Sequence, residues 1–326
     1  MDNKTSIINN LEKLKSLYSS DEDKKWNIRA LSMAINALKK YDNHILSGKQ
    51  LQSEVKGVGE KIAIRIDEIL LTGTLKEFDN YDDIIDKNIS IMDELLLITG
   101  VGPTRAKKWV QMGIKSIEDL KTNIKNGKID STHHIDIGLK YFEDFKLKIP
   151  RCEIDSIKIL LKKNISEVDN ELIFEICGSY RRGLPESGDI DILISHPKFK
   201  NNIVKQKFLS KIVEKLKSIN FIIDSLTEKG NTKFMGVCTL NSESKSRRID
   251  IRVVDYNSYF ASLIYFTGNK NFNVFLRNKS LEKNYSLNEY DLSNVKDKNE
   301  SFILNSESHI FDFLGIAEIK PEERNF

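Results

Sequence analysis

Apolar residues recur at helical spacing through the first third of the chain. Ile7, Ile8, Leu11, Leu14 and Tyr18 fall three or four apart, as do Ala30, Ala34, Ala37, Leu38 and Tyr41, so each run predicts an amphipathic helix. Ile62, Ala63, Ile66, Ile69 and Leu70 form a third apolar face, with Gly73 as its stop. The mostly helical pattern extends to about Lys148, and at Ile149-Pro150-Arg151 it gives way to alternating strands and longer helices. Asp189-Ile190-Asp191-Ile192-Leu193 and Arg247-Arg248-Ile249-Asp250-Ile251-Arg252-Val253-Val254 alternate with the period of a strand. Phe208, Ile212, Val213 and Leu216 lie among lysines and predict a helix covering a sheet. A polar stretch near 291–301 predicts a loop before Ile310-Phe311-Asp312-Phe313-Leu314-Gly315. The pattern describes an α+β chain of several domains.

Within the helical region one design occurs twice. Val55-Lys56-Gly57-Val58-Gly59-Glu60-Lys61 precedes the third helix, and Ile98-Thr99-Gly100-Val101-Gly102-Pro103-Thr104 precedes Ala106, Trp109 and Val110. Glycines at Gly57, Gly59, Gly100 and Gly102 permit a tight turn with positive φ and a close approach by another backbone. The helix that follows begins with unpaired amides, on which a phosphate can dock without side-chain charge. One such turn is most often a plain connection between packed helices. Two copies with matching flanks favour a pair of helix–hairpin–helix units that hold the DNA backbone without sequence preference.

The strands carry a different chemistry. Side chains alternate across a strand, so Asp189 and Asp191 share one face while Ile190 and Ile192 point to the core. Two close carboxylates repel unless something positive lies between them. Most Asp-x-Asp pairs are ordinary surface charge, but this one follows Gly178-Ser179-Tyr180-Arg181-Arg182-Gly183, a small turn after an apolar strand. On the second strand Asp250 shares a face with Arg248 and Arg252, an arrangement that by itself suggests simple ion pairing. Brought beside Asp189 and Asp191, however, it completes a trio able to hold two magnesium ions roughly 3.5–4 Å apart under a triphosphate. That arrangement is machinery for nucleotidyl transfer.

Composition adjusts this picture only slightly. The 326 residues are enough for about two to four compact units. Residues 1–86 hold 13 basic and 15 acidic side chains, a net −2, and the rest hold 38 and 33, a net +5, so any DNA affinity must come from local patches and backbone amides. No apolar run approaches the ~20 residues of a membrane span, and the start of the chain reads as an amphipathic helix rather than a signal peptide. Cys152, Cys177 and Cys238 are widely spaced, which suggests reduced thiols in an intracellular protein. His133 and His134, in a polar segment, suggest structure rather than a metal site.

Taken in order, the paired hairpins, Gly-Ser with Asp-x-Asp, Arg-Arg-Ile-Asp-Ile-Arg and Tyr265-Phe266-Thr267-Gly268 resemble the family X DNA polymerases of the beta type. Ile137-Gly138-Leu139-Lys140-Tyr141-Phe142, Thr232-Lys233-Phe234-Met235-Gly236-Val237 and Leu287-Asn288-Glu289-Tyr290 extend the likeness over essentially the whole chain. The resemblance implies a lyase-like helical domain over 1–86, a second helical subdomain over 87–148, a mixed-sheet palm over 149–256 and a small α+β nucleotide-selection subdomain over 257–326. It implies a DNA-templated polymerase filling short gaps in base excision repair, with Asp189, Asp191 and Asp250 holding Mg2+ (or Mn2+). Arg151, Ser179, Arg182 and Gly188 become triphosphate contacts. Tyr265, Phe266, Gly268, Lys270 and Asn273 line the nucleotide, while Lys233, Arg248 and Arg277 reach DNA with the hairpins. Backbone carbonyls of Ser53, Val55 and Val58, and of Leu96, Ile98 and Val101, would hold a monovalent cation (Na+ or K+) against phosphates. Expected partners are gapped or nicked duplex DNA, deoxynucleoside triphosphates and a DNA ligase, for a monomer in the nucleus or cytoplasm with no membrane contact.

The chain also departs from the family. Arg65 stands where beta-type enzymes carry the lysine that attacks a 5′-sugar phosphate, and a guanidinium cannot serve as that amine. Lys61, one turn earlier on the same face, is the remaining candidate for 5′-deoxyribose phosphate lyase chemistry. Trp26, Asn27 and Leu31 replace polar neighbours, and Lys270 replaces an acid beside the nucleotide. The competing readings are a template-independent nucleotidyltransferase on the same palm and a non-catalytic DNA-binding scaffold.

Overall fold

The computed structural model describes residues 3–19, 24–78, 83–200, 202–227, 230–297, 301–302 and 304–326, with the side chains of 19 and 83–89 outside the description. Two units result, Met1–Asp130 and Ser131–Phe326.

The first unit is helical: α1 (Asn3–Ser19), α2 (Lys25–Lys39), α3 (Gly48–Glu54), α4 (Glu60–Thr72), α5 (Asp83–Leu96), α6 (Pro103–Gln111) and α7 (Ile117–Lys125). Ile7, Leu11 and Leu14 of α1 pack with Ile62, Ala63, Ile66 and Ile69 of α4, as their spacing predicts. The buried stripe of α2 is Leu31, Ala34, Ile35 and Leu38. Ala30 is exposed, one position outside the face that Leu31 and Leu38 define. Gly73 ends α4 in the left-handed region, its amide donating to Ile69. The 86/87 boundary expected from sequence falls inside α5.

In the second unit α8 (His133–Lys140) and α9 (Phe142–Phe145) lead to a short ladder of β1 (Ile149–Pro150) with β3 (Glu186–Ser187). Between them lie α10 (Arg151–Val168), β2 (Ile173–Ile176) and the single turn α11 (Gly178–Arg181). There follow β4 (Ile190–Ser195), α12 (Asn202–Ser218), β5 (Ile222–Ser225), β6 (Lys233–Cys238) and β7 (Arg247–Val253). They build a five-stranded sheet in the order β2-β4-β7-β6-β5, with β4–β7 parallel and the other pairs antiparallel. Leu209, Ile212 and Leu216 of α12 share one core with Ile154, Ile157 and Leu161 of α10 and with the strand isoleucines.

After the sheet come α13 (Tyr259–Thr267), α14 (Lys270–Glu282), β8 (Tyr285–Leu287), β9 (Leu292–Asn294), β10 (Ser301–Phe302) and α15 (Ser308–Leu314). The stretch expected as a loop therefore contains strands. Leu292 is buried opposite Leu287 and Phe302, so one apolar residue with suitable partners fixes β9. Residues 298–300 of that stretch lie outside the described residues.

Candidate active site

β4 begins at Ile190, so Asp189 stands just before the strand and Asp191 one residue inside it. The parallel register of β4 and β7 sets Asp191 opposite Asp250, Ile190 opposite Ile249 and Ile192 opposite Ile251. The isoleucines are fully buried on the core face. The acids therefore project from the other face of neighbouring strands about 4.8 Å apart. Along β7 the burial alternates, with Arg247, Ile249, Ile251 and Val253 inside and Arg248, Asp250 and Arg252 half-exposed. Arg248 donates to Asp189 through its Nη2.

Despite nearby cations, burial dominates the strand acids of this cluster. Burial first, and then the neighbouring Asp189 and Asp250, pushes the Asp191 carboxyl up to about 7. Burial also raises Asp250, against the pull of Lys233, Arg248 and Arg252. A set of oxygen donors, desolvated and crowded by like charge, suits a hard divalent cation.

The turn before β4 is shaped around these acids. Cys177 donates its amide to the carbonyl of Asp191 at 2.8 Å. Gly178 has φ +60, and a Cβ there would lie 2.7 Å from Asp191 Oδ2. Ser179 Oγ donates to Ser187 Oγ at 2.8 Å, tying the turn to β3. Arg151 donates to the carbonyls of Tyr180 (2.7 Å) and Leu184 (3.4 Å) and lies 4.4 Å over the Tyr180 ring. It braces the turn from behind, and neither Arg151 nor Gly188 lines the cavity in front.

That cavity, about 550 Å³, is walled by Gly178, Ser179, Arg182, Asp189 and Asp191 on one side and by the segment from Tyr265 to Arg277 on the other. Asn273 donates to the carbonyl of Tyr265 at 2.8 Å, and the Arg277 guanidinium lies 5.3 Å over its ring. Gly268, with φ +62, and Lys270, at the start of α14, complete the wall. Behind Asp191 and Asp250 a smaller cavity of about 100 Å³ holds Lys233, Arg252 and Phe266 among its lining residues.

In the first unit the two hairpins share one geometry. Gly57 and Gly100 have φ +113 and +90, Val58 and Val101 donate amides to the carbonyls of Val55 and Ile98, and Gly59 and Gly102 cap the following helices without a side-chain partner. Arg65 is committed locally, donating to Glu77 at 2.9 Å and to the Tyr18 hydroxyl at 3.0 Å. Lys61 is exposed, Leu31 lies in the core and Trp26 is 77% exposed. The carbonyls of Val55 and Ile98 each accept one amide, and Ser53 is exposed on α3.

Some contacts around the cavity left no trace in sequence. Arg181 and Arg324 converge on Glu307, and Arg182 meets Asn325 across 143 positions of sequence. No periodicity reports partners so far apart. Asp169, Glu171 and His196 form a further acidic cluster at the opposite end of β4. There Nδ1 of the buried His196 accepts from the Lys198 amide at 2.9 Å, so a neutral ring keeps its proton on Nε2, facing Asp169 at 3.4 Å and Glu171 at 3.7 Å. Nε2 has no hydrogen-bond partner among the described residues, and the three side chains lie close enough together to share a cation. All three cysteines are free, and no described helix is long and apolar enough to cross a membrane.

Family models match four consecutive stretches: a helix-hairpin-helix domain at 2–75, the fingers domain of DNA polymerase lambda at 93–146, the DNA polymerase beta palm at 148–256 and the DNA polymerase beta thumb at 262–325. The chain is 31% identical to DNA polymerase lambda of Rattus norvegicus over 98% of its length and 56% of that protein. It is 34% identical to DNA polymerase lambda of Arabidopsis thaliana over 90% of its length and 56% of that protein. It is also 27% identical to the DNA polymerase type-X family protein pol4 of Schizosaccharomyces pombe, over 91% of its length and 60% of that protein. The chain thus spans somewhat more than half the length of these relatives. With palm, thumb, fingers and hairpin segments in order and the acids of β4 and β7 side by side, the chain belongs to the family X DNA polymerases.

Proposed function

We propose that this protein is a DNA-templated DNA polymerase that fills short gaps in duplex DNA, as base excision repair requires. The observation that carries the reading is the register of Asp191 with Asp250, with Asp189 and Asp191 lining the cavity of about 550 Å³. In the reaction the primer 3′-oxygen bonds to the α-phosphorus of a deoxynucleoside triphosphate, the bond to pyrophosphate breaks and the hydroxyl proton leaves. Asp189, Asp191 and Asp250 would hold divalent ions, which when bound supply Lewis-acid stabilisation of the phosphate charge and acidify the primer hydroxyl.

The remaining work falls to the chain's own groups. Arg182 and Ser179, with the amides opening α11, bind the triphosphate and orient it, and Arg182 can offer two donors in one plane. Asp250, nearest the primer end in this reading, accepts the hydroxyl proton directly or orders the group that does. Tyr265, Phe266 and the backbone at Gly268 pack against the sugar and leave little room for a 2′-hydroxyl. Asn273 and Arg277 read the new base pair from its minor-groove side, a role only a templated enzyme needs. The amides opening α4 and α6 dock phosphates of the gapped duplex, with hairpin carbonyls holding a monovalent cation. The working compartment is then the one that holds genomic DNA, the nucleus in a eukaryotic host.

Incorporation into a one-nucleotide gap, measured for each template base with each nucleotide, tests the reading. The expected result is that the template base dictates the nucleotide. Incorporation indifferent to the template would assign a template-independent transferase instead, and no incorporation with magnesium or manganese would leave a DNA-binding scaffold.

A further inference from the structure

We propose that Asn325 is a positioning residue of the nucleotide site, holding the Arg182 guanidinium in the orientation that receives the triphosphate. The proposal rests on the reading of Arg182 as a phosphate ligand given above. Arg182 donates through Nε to Asn325 Oδ1 at 2.8 Å and through Nη1 to the carbonyl of Thr267 at 2.6 Å. Asn325 returns the contact, its Nδ2 donating to the Arg182 carbonyl at 3.3 Å and to the Glu322 carbonyl at 3.0 Å. Among the described residues Nη2 of Arg182 has no partner. It is therefore the nitrogen that can take a phosphate oxygen without breaking an existing bond, on a side chain that lines the cavity beside Asp189 and Asp191.

An arginine left free loses rotamer entropy when a ligand fixes it. Here neutral acceptors fix it beforehand and leave its charge for the triphosphate. Arg324, fully buried against Phe272 and paired with Glu307 at 2.8 Å, anchors the residue next to Asn325, so the brace is itself rigid. A surface asparagine with no role in the site would not be expected to make a reciprocal pair with a residue of the cavity wall.

The test is single-turnover filling of a one-nucleotide gap by the full chain, separating nucleotide affinity from the rate constant of incorporation. Asn325→Ala and Asn325→Leu, the second keeping the volume without the hydrogen bonds, should both weaken nucleotide binding about fivefold to tenfold, the scale of one ordinary hydrogen bond. The rate constant should stay within about twofold. Arg182→Ala should weaken binding more, and adding Asn325→Ala to it should then change nothing further, because the asparagine acts through that arginine. Unchanged affinity in both Asn325 variants, with Arg182→Ala still weakened, overturns the proposal and leaves the polymerase reading standing. The same loss on the Arg182→Ala background also overturns it, since Asn325 would then act on the fold. Full affinity in Arg182→Ala removes both Arg182 as a ligand and the role of Asn325.

Discussion

At the scale of single residues, the site is governed by charge brought out of water. The Asp191 carboxyl is held up to about 7, so the folded chain keeps this proton to a higher pH than the unfolded chain does. Its cost to stability is absent below about pH 4 and grows by about 1.4 kcal/mol per pH unit until about pH 7. Metal-free Asp191→Asn is therefore expected to melt several degrees above the parent at pH 8 and level with it at pH 4. Calorimetry in the presence of a chelator reads this, and equal midpoints at pH 8 would contradict it. The other residue in question is Lys61. Arg65 is held by Glu77 and Tyr18 and cannot act as an amine, whereas Lys61 is exposed on the same face of α4. Borohydride is expected to trap an adduct with a 5′-deoxyribose phosphate end in the parent and not in Lys61→Ala. An adduct that survives that substitution would place the chemistry on another amine.

At the scale of elements, period-two and period-3.6 patterns report which face of a strand or helix is buried, and they did so faithfully for β4, β7 and α4. The acids of β4 and β7 could be assigned to one face each from alternation alone, because every second residue is an isoleucine or valine that must leave water. Periodicity does not report which element lies next to which. The family resemblance implies Arg151 as a phosphate contact, while the carbonyls of Tyr180 and Leu184 to which its Nη1 donates are visible only in the fold. The half-buried pair Arg181 and Glu307, with the buried Arg324, was hidden for the same reason, since Arg181 and Glu307 stand 126 positions apart. Burial works against the Glu307 charge, but the two guanidiniums overcome it and hold its carboxyl below the usual range. Its contribution is thus present at neutral pH and lost on acidification. Glu307→Ala leaves two cations without their partner and should cost about 3–5 kcal/mol, measured at pH 7 as a lower unfolding transition. A loss below about 1 kcal/mol would show that the arginines find water instead.

At the scale of the whole molecule, two units carry separate halves of one proposed task. In the proposed function the hairpins of the first unit would hold DNA phosphates through backbone amides, a contact that does not depend on the net −2 of residues 1–86. In the proposed function the second unit would supply the reaction centre on its sheet and the nucleotide wall on α13 and α14. Gap filling at saturating magnesium and nucleotide by Asp250→Ala, compared with the parent on the same duplex, tests that centre most directly. Loss of one metal-holding carboxylate should lower the rate about a thousandfold or more, the equivalent of several kcal/mol of lost charge stabilisation, with binding to the gapped duplex unchanged. A variant that still fills the gap within about tenfold of the parent would contradict the account.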